Sequence, residues 1–263
     1  MRKSLLIVGL LQKDSGKTTI SEAVLKYFRD LKIKYTKPVA SFNAWFNYEI
    51  LEESLKRGML VSGDVLKLSE FVEDFERANP ICIMMSPVDP EKVEWSSVGY
   101  ESYYNQISLL RIVDRHYLIE GNLKLFPNFV NEKIGEFVRK TDVEKISFEE
   151  FERILERSRK ISDRLLEEIR RKNELTIIES TSNLASPNLG ALNSDCVVLT
   201  SPGRVAVIDG ERYRNVVSLI GTDPWNLTTE SVAEILKPET TFSIEPWRFN
   251  DGLFKKISEI LDF

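Results

Sequence analysis

Two cysteines and a single histidine in 263 residues leave little material for thiol or imidazole chemistry. Cys82 and Cys196 lie far apart with no second pair near either. That excludes a disulfide framework and a cysteine-rich zinc site, and leaves both as buried apolar side chains. His116, between Arg115 and Tyr117, has no His, Cys or Ser partner at a suggestive spacing, so no role falls to it. No hydrophobic run is long enough to span a membrane, and the apolar stretch after Arg2-Lys3 is followed by no small-residue cleavage site. No Lys/Arg run is long enough to form a stripe, and the net charge is −5, so nucleic acid or another polyanion is not expected as a partner. Internal repeats and low-complexity tracts are missing too. What remains is a chain expected in the cytoplasm without a membrane partner. At 42% hydrophobic and 29% charged it is long enough to bury a full core in one large domain over 1–263.

The pattern that is present alternates strand and helix. Ser4–Val8 reads as a buried strand and Thr18–Leu31 as the helix after it. Short, partly β-branched runs at Cys82–Met85, Leu175–Ile178, Cys196–Thr200 and Val216–Ile220 read as further parallel strands. From Ser147 to Lys172, apolar residues at Phe148, Phe151, Ile154, Ile161, Leu165 and Ile169 keep to one stripe of a long amphipathic helix. Residues 91–147 carry aromatics (Trp95, Tyr100, Tyr103, Tyr104) but no clear period, and read as a largely helical insertion. The expected class is α/β, doubly wound, with a mostly parallel sheet and helices on both faces.

The segment Leu11-Gln12-Lys13-Asp14-Ser15-Gly16-Lys17-Thr18 follows the first strand and opens the first helix, whose free N–H groups and dipole favour an anion. This is the context of a nucleotide-binding P-loop. Lys17 would neutralise the β and γ phosphates and the Thr18 hydroxyl would complete the coordination of Mg²⁺. Gln12, Lys13, Asp14, Ser15, Gly16, Lys17, Thr18 and Thr19 are the expected nucleotide-binding residues. The motif is incomplete at its first position, where Leu11 replaces glycine and Gly9 lies two residues earlier, so a loop of altered shape is expected.

Tyr35-Thr36-Lys37-Pro38-Val39-Ala40-Ser41 resembles the Lys-Pro-Val-(Ala/Thr)-(Ser/Gly) strand end of the dethiobiotin synthetase family. Further echoes follow in the same order. Ser62-Gly63-Asp64 is similar to its Ser-Asp-Ala helix start, Asn79-Pro80 with Ser86-Pro87 to its Asn-Pro…Ser-Pro strand, and Ile244-Glu245-Pro246-Trp247 to its Ile-Pro-Trp. Together they cover most of the chain. The resemblance implies a P-loop NTPase related to the partition and metal-delivery ATPases, and a homodimer. It implies that Lys37 reaches the γ-phosphate and the acyl oxygen of an activated substrate, beside Lys17, with Ser41 as a hydrogen-bond donor. Gly221-Thr222-Asp223-Pro224 is similar to the turn that holds adenine, which assigns Asp223 and Pro246 to the base. A plain turn explains Asp223 equally well, and a surface lysine before a proline turn is the competing account of Lys37.

Mg²⁺ takes oxygen ligands and keeps several waters, so one or two carboxylates should join Thr18. Asp64 and Glu179 are the choices. Asp64 starts a helical run and could equally serve as its N-cap. Glu179 ends the Leu175–Ile178 strand, where open α/β sheets place ligand contacts. Glu120, after Tyr117-Leu118-Ile119, is its rival. Where the family carries Glu-Gly-Ala-Gly-Gly, this chain has Glu179-Ser180-Thr181-Ser182-Asn183, so the nucleotide half of the resemblance is kept and the substrate half is not. Trp45, Trp225 and Trp247 read as core or interface, since no basic residues interleave with them. Two functions follow. One is Mg-ATP-dependent activation of a small carboxylate or carbamate, with GTP not excluded. The other is an ATP-driven switch acting on a protein partner. Gln12, where the switch ATPases usually carry lysine, favours the enzyme.

Overall fold

The computed structural model describes residues 2–95, 106–246 and 248–263, so Tyr100, Tyr103, Tyr104 and Trp247 lie outside the described residues. Along the chain run β1 (Lys3–Gly9), α1 (Lys17–Tyr27), β2 (Ile33–Thr36), β3 (Val39–Asn43), α2 (Tyr48–Arg57), α3 (Gly63–Lys67) and α4 (Phe75–Ala78). They are followed by β4 (Ile81–Ser86), β5 (Gln106–Ile112), β6 (Arg115–Ile119), α5 (Asn128–Lys140), β7 (Val143–Ile146) and α6 (Phe148–Lys172). The last third holds β8 (Leu175–Glu179), α7 (Leu189–Leu192), β9 (Cys196–Ser201), β10 (Arg204–Asp209), α8 (Gly210–Ile220), α9 (Thr229–Leu236), β11 (Thr241–Ser243) and α10 (Asp251–Leu261). Contacts divide the chain into two compact units. The first comprises Met1–Pro38, Leu68–Ala78 and Lys160–Phe263, the second Val39–Lys67 and Asn79–Arg159.

The first unit is built on a sheet ordered β11-β10-β9-β1-β8-β2. β9, β1, β8 and β2 run parallel, while β10 and β11 are antiparallel additions at one edge. Parallel strands covered on both faces read as continuous apolar runs, and Leu5, Leu6, Ile7 and Val8 of β1 are completely buried. Leu6 and Val8 join Ile178, Val197 and Leu199 in one layer against Tyr213 and Val217 of α8 and Val232 and Leu236 of α9. The opposite face carries α1 and α10, linked by the stacked rings of Tyr27 and Phe254, 4.5 Å apart. Register sets Ile7 beside Glu179 and Gly9 beside Thr200, which brings three strand ends together after β1.

Val216–Ile220, expected as a strand, is instead the last turn and a half of α8. Its three β-branched residues are outweighed by helical spacing: Tyr213 and Val217 are buried four apart, Leu219 is 81% exposed, and Asp209 accepts from the Arg212 amide at the N-terminus.

The second unit contains the sheet β3-β4-β5-β6-β7, in which β3/β4 and β6/β7 are parallel and the two inner pairs antiparallel. Phe42, Met84, Leu109 and Leu118 pack with Leu51 and Leu55 of α2 and with Val130, Ile134 and Phe137 of α5. The segment 91–147 is therefore not largely helical, because β5, β6 and β7 lie within it. β5 is a central strand with five consecutive buried residues, Ser108–Ile112, and so shows no period of two. The 25-residue α6 matches the amphipathic stripe expected from the sequence. Cys82 and Cys196 are buried and not joined in a disulfide. Among the described residues no helix is long and apolar enough to cross a membrane.

Candidate functional site

β1 ends at Gly9, and the chain then turns through a tight loop into α1. A Cβ on Gly9 would sit 2.2 Å from Ser15 Oγ and 2.8 Å from Ser15 Cβ, so only glycine lets the loop fold back on its own strand. Asp14 (φ 57°) and Gly16 (φ 84°) take left-handed backbone, and Gly16, which has no side chain to cap with, is the N-cap of α1. Thr200 Oγ1 donates to the Ser15 carbonyl at 2.9 Å, and the Leu10 amide donates to the Thr200 carbonyl at 3.1 Å, which ties the loop to the end of β9.

Lys17 is buried at 8% exposure, and its ammonium donates to the Ser182 carbonyl at 2.6 Å and to Ser15 Oγ at 3.2 Å. Glu179, the last residue of β8, is completely buried. Its Oε2 accepts from Tyr35 Oη and Ser21 Oγ, each at 2.9 Å. Its Oε1 accepts from Lys37 Nζ at 2.7 Å and Thr18 Oγ1 at 3.1 Å. One carboxylate oxygen is thus fixed by two hydroxyls while the other faces an ammonium and the first turn of α1. Burial of both charges in the Lys37–Glu179 pair is tolerated only because these donors replace lost hydration. Lys37 is held in place through its backbone, whose N–H donates to the Ala78 carbonyl at 2.8 Å.

Thr18 Oγ1 and Glu179 Oε1 are hard oxygen donors of the kind Mg²⁺ takes beside phosphate oxygens and water, so this pair fits that ion. Among the described residues no three His, Cys, Asp or Glu side chains converge into a closed metal cage. Next to the loop lies a mostly apolar cavity of about 340 Å³, bordered by Asp14, Gly16, Thr19, Pro202, Pro246 and Phe249.

The structure therefore assembles Lys17, Thr18, Lys37 and Glu179, and sets Thr19 and Pro246 on one cavity. Gln12, Lys13 and Asp14 form the exposed tip of the loop. Ser41, exposed on β3, and Asp64, in the first turn of α3, belong to the second unit. So does Glu120, an exposed residue paired with Lys145 at 2.6 Å. Asp223 is exposed and follows a helix rather than a strand, ahead of the 3-10 turn Pro224–Asn226. Sequence reasoning missed Ser21, Tyr35 and Thr200. The signals were present for two of them: Tyr35 precedes Lys37 by two in extended backbone, and Ser21 follows Thr18 by three on one helix.

The fold and this arrangement define an α/β protein with a buried Lys-Glu centre at the C-terminal ends of its parallel strands. Comparison with protein-family models, with curated proteins and with solved structures finds no match for the chain.

Proposed function

We propose that the chain binds a Mg²⁺-nucleoside triphosphate on the β1–α1 loop and transfers the terminal phosphoryl group to a small carboxylate or carbamate, as the resemblance to dethiobiotin synthetases implies. The observation that carries this reading is the convergence of Lys37 and Thr18 on the buried Glu179 beside Lys17. Phosphoryl transfer needs fixed positive groups around the oxygens that gain charge, and little else from the protein. The first-turn amides of α1 and the Lys17 ammonium neutralise the β and γ phosphates. Lys37 faces the oxygen of the acid as it attacks the γ-phosphorus, while the bond to the bridging oxygen breaks and the diphosphate leaves with the electron pair. Tyr35 and Ser21 keep the Glu179 carboxylate from rotating. Thr18 and Glu179 would hold Mg²⁺, which would supply charge neutralisation for the phosphoryl transfer. The base occupies the cavity lined by Thr19 and Pro246.

A second reading, a nucleotide-driven switch, is favoured by the bond from Lys17 to the Ser182 carbonyl, which lies in the loop after β8 where Ser182 has φ 51°. Phosphates that draw Lys17 away release that loop. Titration calorimetry of ATP and GTP with Mg²⁺, with and without diaminopelargonate and bicarbonate, separates the two when phosphate release is followed in the same samples. Release that depends on the acid supports the enzyme. Slow release indifferent to it supports the switch. Lys17→Ala abolishes either activity, and wild-type turnover by that variant would remove the loop from both readings.

A further inference from the structure

The cations that the sequence scatters are gathered by the fold. Arg2 ahead of β1, Arg29 and Lys32 between α1 and β2, Lys34 in β2, and Arg171 and Lys172 at the end of α6 line one open depression of about 720 Å³ in the first unit. Glu73 is the one acid on its lining. Among the described residues none of these six cations makes an ion pair. The absence of a Lys/Arg run pointed away from any polyanion, yet three short stretches meet here, the last more than a hundred positions beyond the other two. The depression opens at the start of β1, whereas the phosphate loop follows its end. Seven residues of strand separate the two by about 20 Å.

The helix dipole accounts for part of the cluster, since Arg171 and Lys172 stand in the last turn of α6, where cations are favoured. They do not account for Arg2, Lys32 and Lys34, which flank or lie in strands. Six unpaired like charges around one concavity repel one another, and a bound anion relieves that repulsion. The volume is that of a small-molecule site. The chain's net charge of −5 disfavours a long polyanion while leaving a short-range contact intact. Ile33 and Phe71 provide apolar wall for the body of such a ligand.

We propose that this cleft binds a compact ligand carrying several phosphate groups, either a soluble oligophosphate or a phosphorylated lipid headgroup. The site is independent of the nucleotide reading. It is tested by calorimetric titration of inorganic tripolyphosphate into the full chain carrying Lys17→Ala, which disables the phosphate loop. The paired variant Lys32→Glu, Arg171→Glu in the same background is expected to weaken binding by about tenfold or more. Circular dichroism and thermal unfolding verify that this variant folds. Flotation with phosphatidylcholine vesicles, with and without phosphatidylinositol bisphosphate, identifies the source: capture by the charged vesicles alone assigns the headgroup, and tripolyphosphate binding without capture assigns a soluble ligand. Binding of neither probe, or binding that the charge reversals leave unchanged, overturns the proposal. With Lys17 restored, the same charge reversals leave Mg-ATP hydrolysis at its original rate. A failed loop reading therefore removes that control and nothing else.

Discussion

Glu179 accepts four hydrogen bonds with none of its surface in water, so each donor can be weighed by what its loss leaves behind. Lys37→Met leaves a buried carboxylate without its ammonium, and a broken buried pair costs about 3–5 kcal/mol of stability. Adding Glu179→Gln removes the orphaned charge, so the double variant should be more stable than Lys37→Met alone. Urea unfolding of the three variants checks this, and additive losses would mean that the pair is not coupled. Tyr35→Phe is milder. It removes one hydroxyl for about 1 kcal/mol, and under the proposed function it loosens the carboxylate. A Mg²⁺ requirement shifted to higher concentration, with nucleotide affinity unchanged at saturating metal, is the expected kinetic signature. Glu179 was legible because an acid at a strand end has few structural uses, and Lys37 only through the resemblance, since a lysine before a proline turn is otherwise an ordinary surface residue. Tyr35 was hidden because an aromatic in a strand ordinarily means core, and 1% exposure is what core looks like.

At the scale of elements, the loop after β1 turns tightly although its first position, where a P-loop would carry glycine, holds leucine. Leu11 occupies the expected position and is 45% exposed, while Gly9, two residues earlier, makes the close approach. Gly9→Ala forces its methyl into Ser15, a neighbour held by Thr200 and Leu11, and overpacking of this kind costs about 1–3 kcal/mol. The expected result is a modest fall in melting temperature together with loss of triphosphate binding. Unchanged calorimetric affinity in this variant would show that the loop's shape does not matter to binding. The same scale explains where the sequence misled. Val216–Ile220 offers two valines and an isoleucine, which local propensity reads as strand, but capping by Asp209 and the layer shared with α9 decide for helix. In β5 the reverse holds. A central strand buried on both faces carries no alternation, and Arg111 within it looks like a surface residue. Its guanidinium is fully buried and donates to the carbonyls of Leu60, Asn79 and Val113, each at 2.7 Å, contacts that only tertiary structure creates.

For the whole molecule, charge and histidine count make one property unusually easy to assign. Carboxylates titrate mostly below pH 5 and lysines far above neutrality, so a stability change between pH 6.5 and 5 belongs to histidine, and this chain has one. His116 sits on β6, where its Nε2 accepts from the Leu60 amide at 3.3 Å and its ring meets Phe137 edge-on. Burial, then the nearby Arg111 cation, push its pKa down from 6.5 to about 4, against a small opposing pull from Asp114. The unfolded chain thus takes up a proton that the folded chain refuses, so stability is full above pH 6.5 and falls as pH drops toward 4. The loss amounts to up to about 3 kcal/mol over that window, with no further histidine contribution below it. Urea titrations at half-unit pH steps should trace this slope. His116→Gln retains a neutral acceptor for the Leu60 amide and cannot be protonated, so it should flatten the profile above pH 5 while leaving the neutral-pH stability within about 1–2 kcal/mol of wild type. An unaltered slope in that variant would place the titrating group among the carboxylates instead and would contradict the depressed pKa of His116.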